Sequence, residues 1–472
     1  MIRQFVVAAL VVTALTGAER PARANGRLPA TSTITFRHGH ETDIAVGLTF
    51  GLLMSHDGGA TWQWMCEDAV GYSGAYDPVY AYAASGALFA TTFNGLAVMR
   101  DGCTFEPTPT GTAFVSTAAL DPDGLLYFGS AQIADAMHPT ADFRIYKSLD
   151  DDKTMPAGTA AAAPADVNVW WTSIAVAPSN ASIVYLAGYR YVPATSGSGT
   201  MREHLLFRSD NAGATWQALP TTGLTLMANS RIFVAGIWKD DPAHVYLHVE
   251  YIDNTLTDAV YVTSNSGASW TEIRRKADRI GAFVVRGPEH QHDLVLGTIK
   301  LGAEISHDDG SNWTALANAP HMGCLVENSA GELWACTQNY GVAPAPTDGA
   351  GVMKTTDLTT WTKVLRYEEL THAVSCAAGT KQHDVCDPVW CGVCQQLSCT
   401  PASSYNCPVP TEAPATTPPT SKGGGCCDTG TDHGGTLALA LSVATVLRRP
   451  RRRRGSRCEV PDDPQLRPRS PR

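Results

Sequence analysis

"SHDGGATW", Ser55 to Trp62, decides the fold once its copies are found. "SHDDGSNW" (Ser306 to Trp313) repeats it with Asp308 and Gly310 in place. "SDNAGATW" (Ser209 to Trp216) and "TSNSGASW" (Thr263 to Trp270) repeat it with Asn for Asp. "SLDDDKTM" (Ser148 to Met155) keeps Asp150 and Thr154, with Asp152 at the glycine position. "MRDGCTF" (Met99 to Phe105) and "TTDLTTW" (Thr355 to Trp361) are one residue short. The seven starts, at 55, 99, 148, 209, 263, 306 and 355, lie 43 to 61 residues apart. A period in that range marks an array of supersecondary units.

Each position in the motif has a local task. The Asp or Asn side chain accepts hydrogen bonds from backbone N–H groups ahead of it, as in an Asx-turn. Gly enters the left-handed region without a Cβ clash. Trp buries a large ring that anchors the next strand. The expected structural set is Asp57, Gly59, Trp62, Asp101, Asp150, Asn211, Gly213, Trp216, Asn265, Gly267, Trp270, Asp308, Gly310, Trp313, Asp357 and Trp361. One reaction centre does not need seven copies of its acid, so a catalytic reading of the motif fails. Apolar runs precede and follow each copy, for example "GLLM" and "WQWM", with two more strand-like runs upstream, such as "TSIAVAPSN-ASIVYLAG". Val, Ile, Tyr and Thr broken by Gly, Pro, Asn and Asp is strand-and-turn composition. Four strands in each of seven repeats predict an all-β chain, a seven-bladed β-propeller of four-stranded blades. Each repeat holds all four strands, so closure without strand exchange is expected.

The repeated motif resembles that of the BNR/Asp-box propellers, the superfamily of sialidase-like, sortilin-like and photosystem assembly factor-like proteins. The resemblance covers residues 31–367 and implies that the boxes sit on the turn between the third and fourth strands, on the face away from the binding pocket.

The 472 residues, 44% hydrophobic, are ample for one such core with flanking segments. Residues 1–24 read as a secretory signal peptide: Arg3, an apolar run from Phe5 to Leu15, then "ARA" at Ala22 to Ala24, with Ala18 as the alternative cleavage point. The propeller is assigned to 31–370. Thirteen cysteines fit export to an oxidising space. Cys324 and Cys336 flank a turn and are candidates for a cross-strand disulfide. Cys66 and Cys103 lie near the outer strands of the first two repeats and are candidates to bridge neighbouring blades. Six cysteines at 376–407, including "CGVC" at Cys391 to Cys394, read as a small disulfide module rather than a zinc site, with fifteen pairings open. Residues 408–425, "PVPTEAPATTPPTS" and the glycines after it, read as an extended linker. "GGGCC", "TLALALSVATVL" and "RRPRRRR" then follow one another across 426–454, and the arginines are expected to stay cytoplasmic. This block resembles the MYXO-CTERM sorting tail of myxobacteria and relatives, which implies surface anchoring with Cys426 or Cys427 as the marked residue. Residues 455–472 read as a disordered tail.

Between Asn25 and Gly425 there are 39 Asp and Glu against 22 Lys and Arg, a balance of −17. An acidic body of this kind makes nucleic acid an unexpected partner, and leaves the membrane to the tail alone. A sialidase needs three arginines to clamp a carboxylate. "FRHG" (Phe36 to Gly39) and "FRIY" (Phe143 to Tyr146) do not make that pattern. No cofactor motif is present, and the two histidines of "FRHGHE" do not make a metal site. Asp77, Asp135, Asp142, Asp166, Asp258 and Asp348 fall in pocket-side loops, but no pair stands out for glycoside hydrolysis. The same loops carry candidate ligand-binding residues: Trp170, Trp171, Tyr189, Tyr191, Arg231, Arg279 and His321. Aromatics with arginine are common at recognition surfaces. The expectation is a monomeric, exported, surface-held propeller that binds a protein or a glycan, with a glycoside hydrolase as the alternative.

Overall fold

The computed structural model describes residues 27–407, apart from 75, 155, 162–167, 194–198, 253–255 and 341–346. The expected signal peptide, linker, sorting cysteines Cys426 and Cys427, and tail lie outside the described residues, as does Asp166.

Seven antiparallel sheets account for nearly all the strands, each built from four strands consecutive in sequence. This is a seven-bladed β-propeller. The blades span 31–65, 80–107, 115–159, 169–218, 231–276, 280–316 and 324–365. Middle strands are largely buried, and some are buried along their whole length, as in Gly51–Ser55, Leu126–Ser130 and Leu294–Thr298. Outer strands are solvated, as in Gln217–Ala218 and Thr314–Leu316. A strand covered on both faces reads as a continuous apolar run rather than an alternating one. The core therefore lies between blades: Tyr185 and Leu206 of blade 4 share one cluster with Ile232, Leu247 and Tyr261 of blade 5.

The box turns clasp neighbouring blades. In the first, the Ser55 hydroxyl donates to Asp57 Oδ1 at 2.8 Å and accepts from the Gly59 N–H at 2.9 Å. Thr61 donates its N–H and hydroxyl to the two Asp57 oxygens at 2.8 and 2.6 Å. Asn211, Asn265 and Asp308 repeat the pattern. Asp101 and Asp357 accept two backbone N–H groups each, and Asp150 accepts from Thr154. Gly59 and Gly310 have φ of +91° and +81°. A Cβ on Gly59 would meet Val364 of blade 7 at 2.9 Å, and one on Gly310 would meet Ile273 of blade 5 at 2.6 Å. Glycine thus serves twice, for the turn and for close approach to the preceding blade.

Ring closure uses no exchanged strand inside a blade. Thr31, opening blade 1, donates to the carbonyl of Gly351, which enters the third strand of blade 7, at 2.8 Å and bonds the hydroxyl of Tyr367, just past that blade, at 2.7 Å. The chain then returns: His372–Ala373 pairs parallel with Gln63–Met65 as a fifth strand on blade 1. Helix Asp387–Gln396 follows, and Trp390 packs on Trp64 at 5.2 Å. The disulfides correct one expectation. Cys66 and Cys103 do not bridge the first two blades to each other; Cys66 pairs with Cys386 and Cys103 with Cys376. Two of the six module cysteines therefore serve the propeller, while Cys391–Cys407 and Cys394–Cys399 are internal. Cys324 and Cys336 stand opposite each other in register and form a disulfide.

Candidate binding face

Antiparallel order sorts every connection onto one of two faces. Turns between first and second strands share a face with the box turns, as the Gly58 N–H shows by donating to the Thr42 carbonyl at 2.9 Å. Segments leading into each inner strand, and loops between second and third strands, form the opposite face, here called the loop face. Among the described residues, nine of eleven exposed large apolar side chains lie on the loop face. They include Phe93, Met137, Trp170, Leu256 and Leu301. The other two are Leu149, in the third box turn, and Val385, in the module.

On this face four rings from three successive blades meet. Tyr76 leads into blade 2, Phe93 is in its Phe-Asn turn, Phe114 leads into blade 3, and Trp170 is the second residue of the inner strand of blade 4. Centroids are 4.4 Å apart for Tyr76–Phe93, 5.3 Å for Phe93–Phe114 and 5.0 Å for Phe114–Trp170. Phe114 is the buried floor; Phe93 is 50% exposed and Trp170 36%. The Tyr76 hydroxyl bonds Thr91 at 2.7 Å, and burial pushes its pKa well up, so it stays neutral. The loop 131–144 borders the ledge: Gln132 accepts from the Phe114 N–H at 2.9 Å, and His138 bonds the Thr112 hydroxyl at 2.8 Å.

Of the residues named from sequence, only Trp170 is part of this ledge. Trp171 points the other way along the strand, is fully buried, and donates its indole N–H to the Phe143 carbonyl at 3.1 Å. It is packing, not a ligand contact. Tyr189 stands opposite Trp170 in register but is buried, and burial pushes its pKa to about 12. Tyr189 and Tyr191 flank Arg202, whose guanidinium lies 4.4 and 5.9 Å from their ring centroids. That group stiffens the long hairpin Asn180–Pro193/Thr200–Ser209, the insertion that lengthened the fourth repeat. Arg231 and Arg279 come together around Glu250, but neither is unengaged. Arg231 donates to Glu250 at 2.7 Å; Arg279 donates to Asp258 at 2.7 Å. His321, in the segment leading into blade 7, bonds Asp348 at 2.9 Å. Sequence reading missed Tyr76, Phe93, Phe114 and Arg202. Phe114 had a signal, since "AFVST" and "VWWTS" place an aromatic at the same end of consecutive inner strands.

The loop-face carboxylates are also engaged. Asp77 pairs with Arg27, Asp142 with Arg144 at 2.8 Å, and Asp258 with His248 at 3.0 Å. The N–H groups of Met137 and His138 hold Asp135 below the usual carboxylate range. A general acid for glycoside cleavage needs its pKa raised. Burial raises Asp152 and Asp387, and neither lies on the loop face. On the box face a cavity of about 510 Å³ opens between Ile34, Phe36, Leu120 and Val326, rimmed by Arg37 and Glu41. Among the described residues no group of His, Cys, Asp and Glu could hold a metal ion, and no helix is long and apolar enough to cross a membrane.

No family model and no curated protein matches the chain. Solved structures do. An extracellular domain from B. thetaiotaomicron is 15% identical with a TM-score of 0.45, over 66% of this chain and 37% of that one. A GH74 xyloglucanase from Xanthomonas campestris is 14% identical with a TM-score of 0.34, over 70% and 57%. YCF48 from Cyanidioschyzon merolae is 10% identical with a TM-score of 0.40, over 65% and 92%. The chain thus spans less than two thirds of the first two. Likeness at these values carries no argument about activity or ligand.

Proposed function

We propose that this chain is an exported, non-catalytic binding module that takes a protein or glycan on its loop face and is held at the cell surface by its C-terminal tail. The observation that carries the reading is the one-sided distribution of exposed large apolar side chains, nine of eleven among the described residues on one face. Exposed apolar patches on a soluble body mark interaction sites. Five disulfides support export, since such bonds persist in oxidising compartments. The anchoring role rests on the cysteines, apolar run and arginines of 426–454.

The test uses the full chain on an array of neutral and charged glycans and on intact cells, with reducing-end release measured alongside. Binding without release is expected. Release of reducing ends would replace this reading with a glycoside hydrolase and direct attention to the loop carboxylates.

A further inference from the structure

Resting on the loop-face reading, we infer that the ledge of Phe93, Phe114 and Trp170 is a site for a neutral polysaccharide chain. A pyranose ring offers C–H groups on its faces and hydroxyls round its edge. A site for it needs aromatic faces and uncharged hydrogen-bonding groups at their margin. Both are present. Phe93 and Trp170 expose ring surface on either side of the buried Phe114, in centroid steps of 5.3 and 5.0 Å. The Asn94 amide, next to Phe93 in an exposed turn, and the Trp170 indole N–H have no hydrogen-bond partner among the described residues. They are uncharged donors left for hydroxyls.

Charge decides against an acidic ligand. The charged side chains bordering the rings are already matched: Asp77 with Arg27, Asp135 with His138, and Asp142 with Arg144 and Tyr146. A sialoside or uronate would enter this site with no unengaged cation among the described residues to meet it, and would lose hydration for nothing in return. A neutral sugar loses only hydroxyl hydration, which Asn94 and Trp170 replace.

Titration calorimetry of the full chain tests this, with hexasaccharides of β-1,4-glucan, β-1,4-mannan and β-1,4-xylan, and with polygalacturonate and a sialylated oligosaccharide as anionic probes. At least one neutral hexamer is expected to bind, with a change in tryptophan fluorescence. Trp170→Ala and Phe93→Ala are expected to weaken it roughly tenfold or more. Asn94→Ala, a surface change that cannot disturb the core, is expected to weaken it about threefold. Neutral-glycan binding that survives all three substitutions overturns the inference. Capture of an anionic glycan or a protein through the same residues, with no neutral hexamer bound, also overturns it but leaves the loop face as the binding face. If Trp170→Ala and Phe93→Ala alter no binding of any kind, both readings fall.

Discussion

Asp152 occupies the place that glycine holds in four of the box turns. It is fully buried with φ of +52°, and its Oδ1 has no partner among the described residues, while Oδ2 accepts from the Thr110 hydroxyl at 3.0 Å. Burial raises its pKa. A raised carboxyl costs stability once pH climbs through its folded pKa, so Asp152→Gly is expected to stabilise at neutral pH by about 1 kcal/mol, read by denaturant unfolding. Ser55 is the converse. Its buried hydroxyl satisfies the Gly59 N–H. Ser55→Ala orphans that donor and is expected to cost about 1–3 kcal/mol in the same assay. The box aspartates set the acid limit. The Thr61 hydroxyl and N–H lower Asp57 to about 2, against an ordinary 3.8, and Asp101, Asp150, Asp308 and Asp357 are lowered too. Depressed carboxyls give stability that is complete above their unfolded value and vanishes as pH falls through the folded one. The melting temperature should be level from pH 7 to 5 and drop between about pH 4 and 2. At this scale the Asx part of the box could be read in the sequence because its Ser, Asp or Asn, Gly and Thr bond one another within four residues; the indole N–H groups of Trp216, Trp270 and Trp313 reach residues 40 to 57 positions away and could not. The choice between Trp170 and Trp171 could not: strand alternation separates them, but only the strand's position in the ring says which side meets solvent.

The elements show where the sequence stops being readable. Seven spaced boxes were enough to count blades, because each turn carries its own signal. The partners of Cys66 and Cys103 lie 320 and 273 residues away, and no local pattern connects them. The Cys-rich module at 376–407 is cross-linked to blades 1 and 2 through Cys386–Cys66 and Cys376–Cys103, and His372–Ala373 just before it adds a fifth strand to blade 1. Gln382 is fully buried there, and its side-chain amide donates to the Trp64 carbonyl at 3.4 Å. Module and disulfides act as the latch of the ring. The double variant Cys376→Ser/Cys386→Ser is expected to lose roughly 4 kcal/mol or more in denaturant unfolding. A chain ending at Leu370 is expected to be less stable still, since it also exposes Trp64 and the outer edge of blade 1. Equal stability with and without residues 371–407 would remove the latch.

At the scale of the whole molecule, the two faces differ in what they leave unsatisfied. The box face spends its polar side chains on its own turns. The loop face exposes rings and aliphatic side chains, and several of its carboxylates, Asp77, Asp142, Asp258 and Asp348, are paired with neighbouring basic residues. The ledge was not legible beforehand because Tyr76, Phe93, Phe114 and Trp170 are spread over 95 residues and three blades; only the closed ring makes them neighbours. The proposed function puts binding on the loop face. Matched charge substitutions in the full chain set the two faces against each other. Phe93→Glu and Met137→Glu place a carboxylate on the loop face; Leu149→Glu places one on the box face, where Leu149 is 74% exposed. Each is assayed for retention on the glycan array and on cells. Loss of roughly tenfold or more for the loop-face pair, with Leu149→Glu unchanged, is the predicted result. Loss confined to Leu149→Glu would contradict it and move the site to the box face.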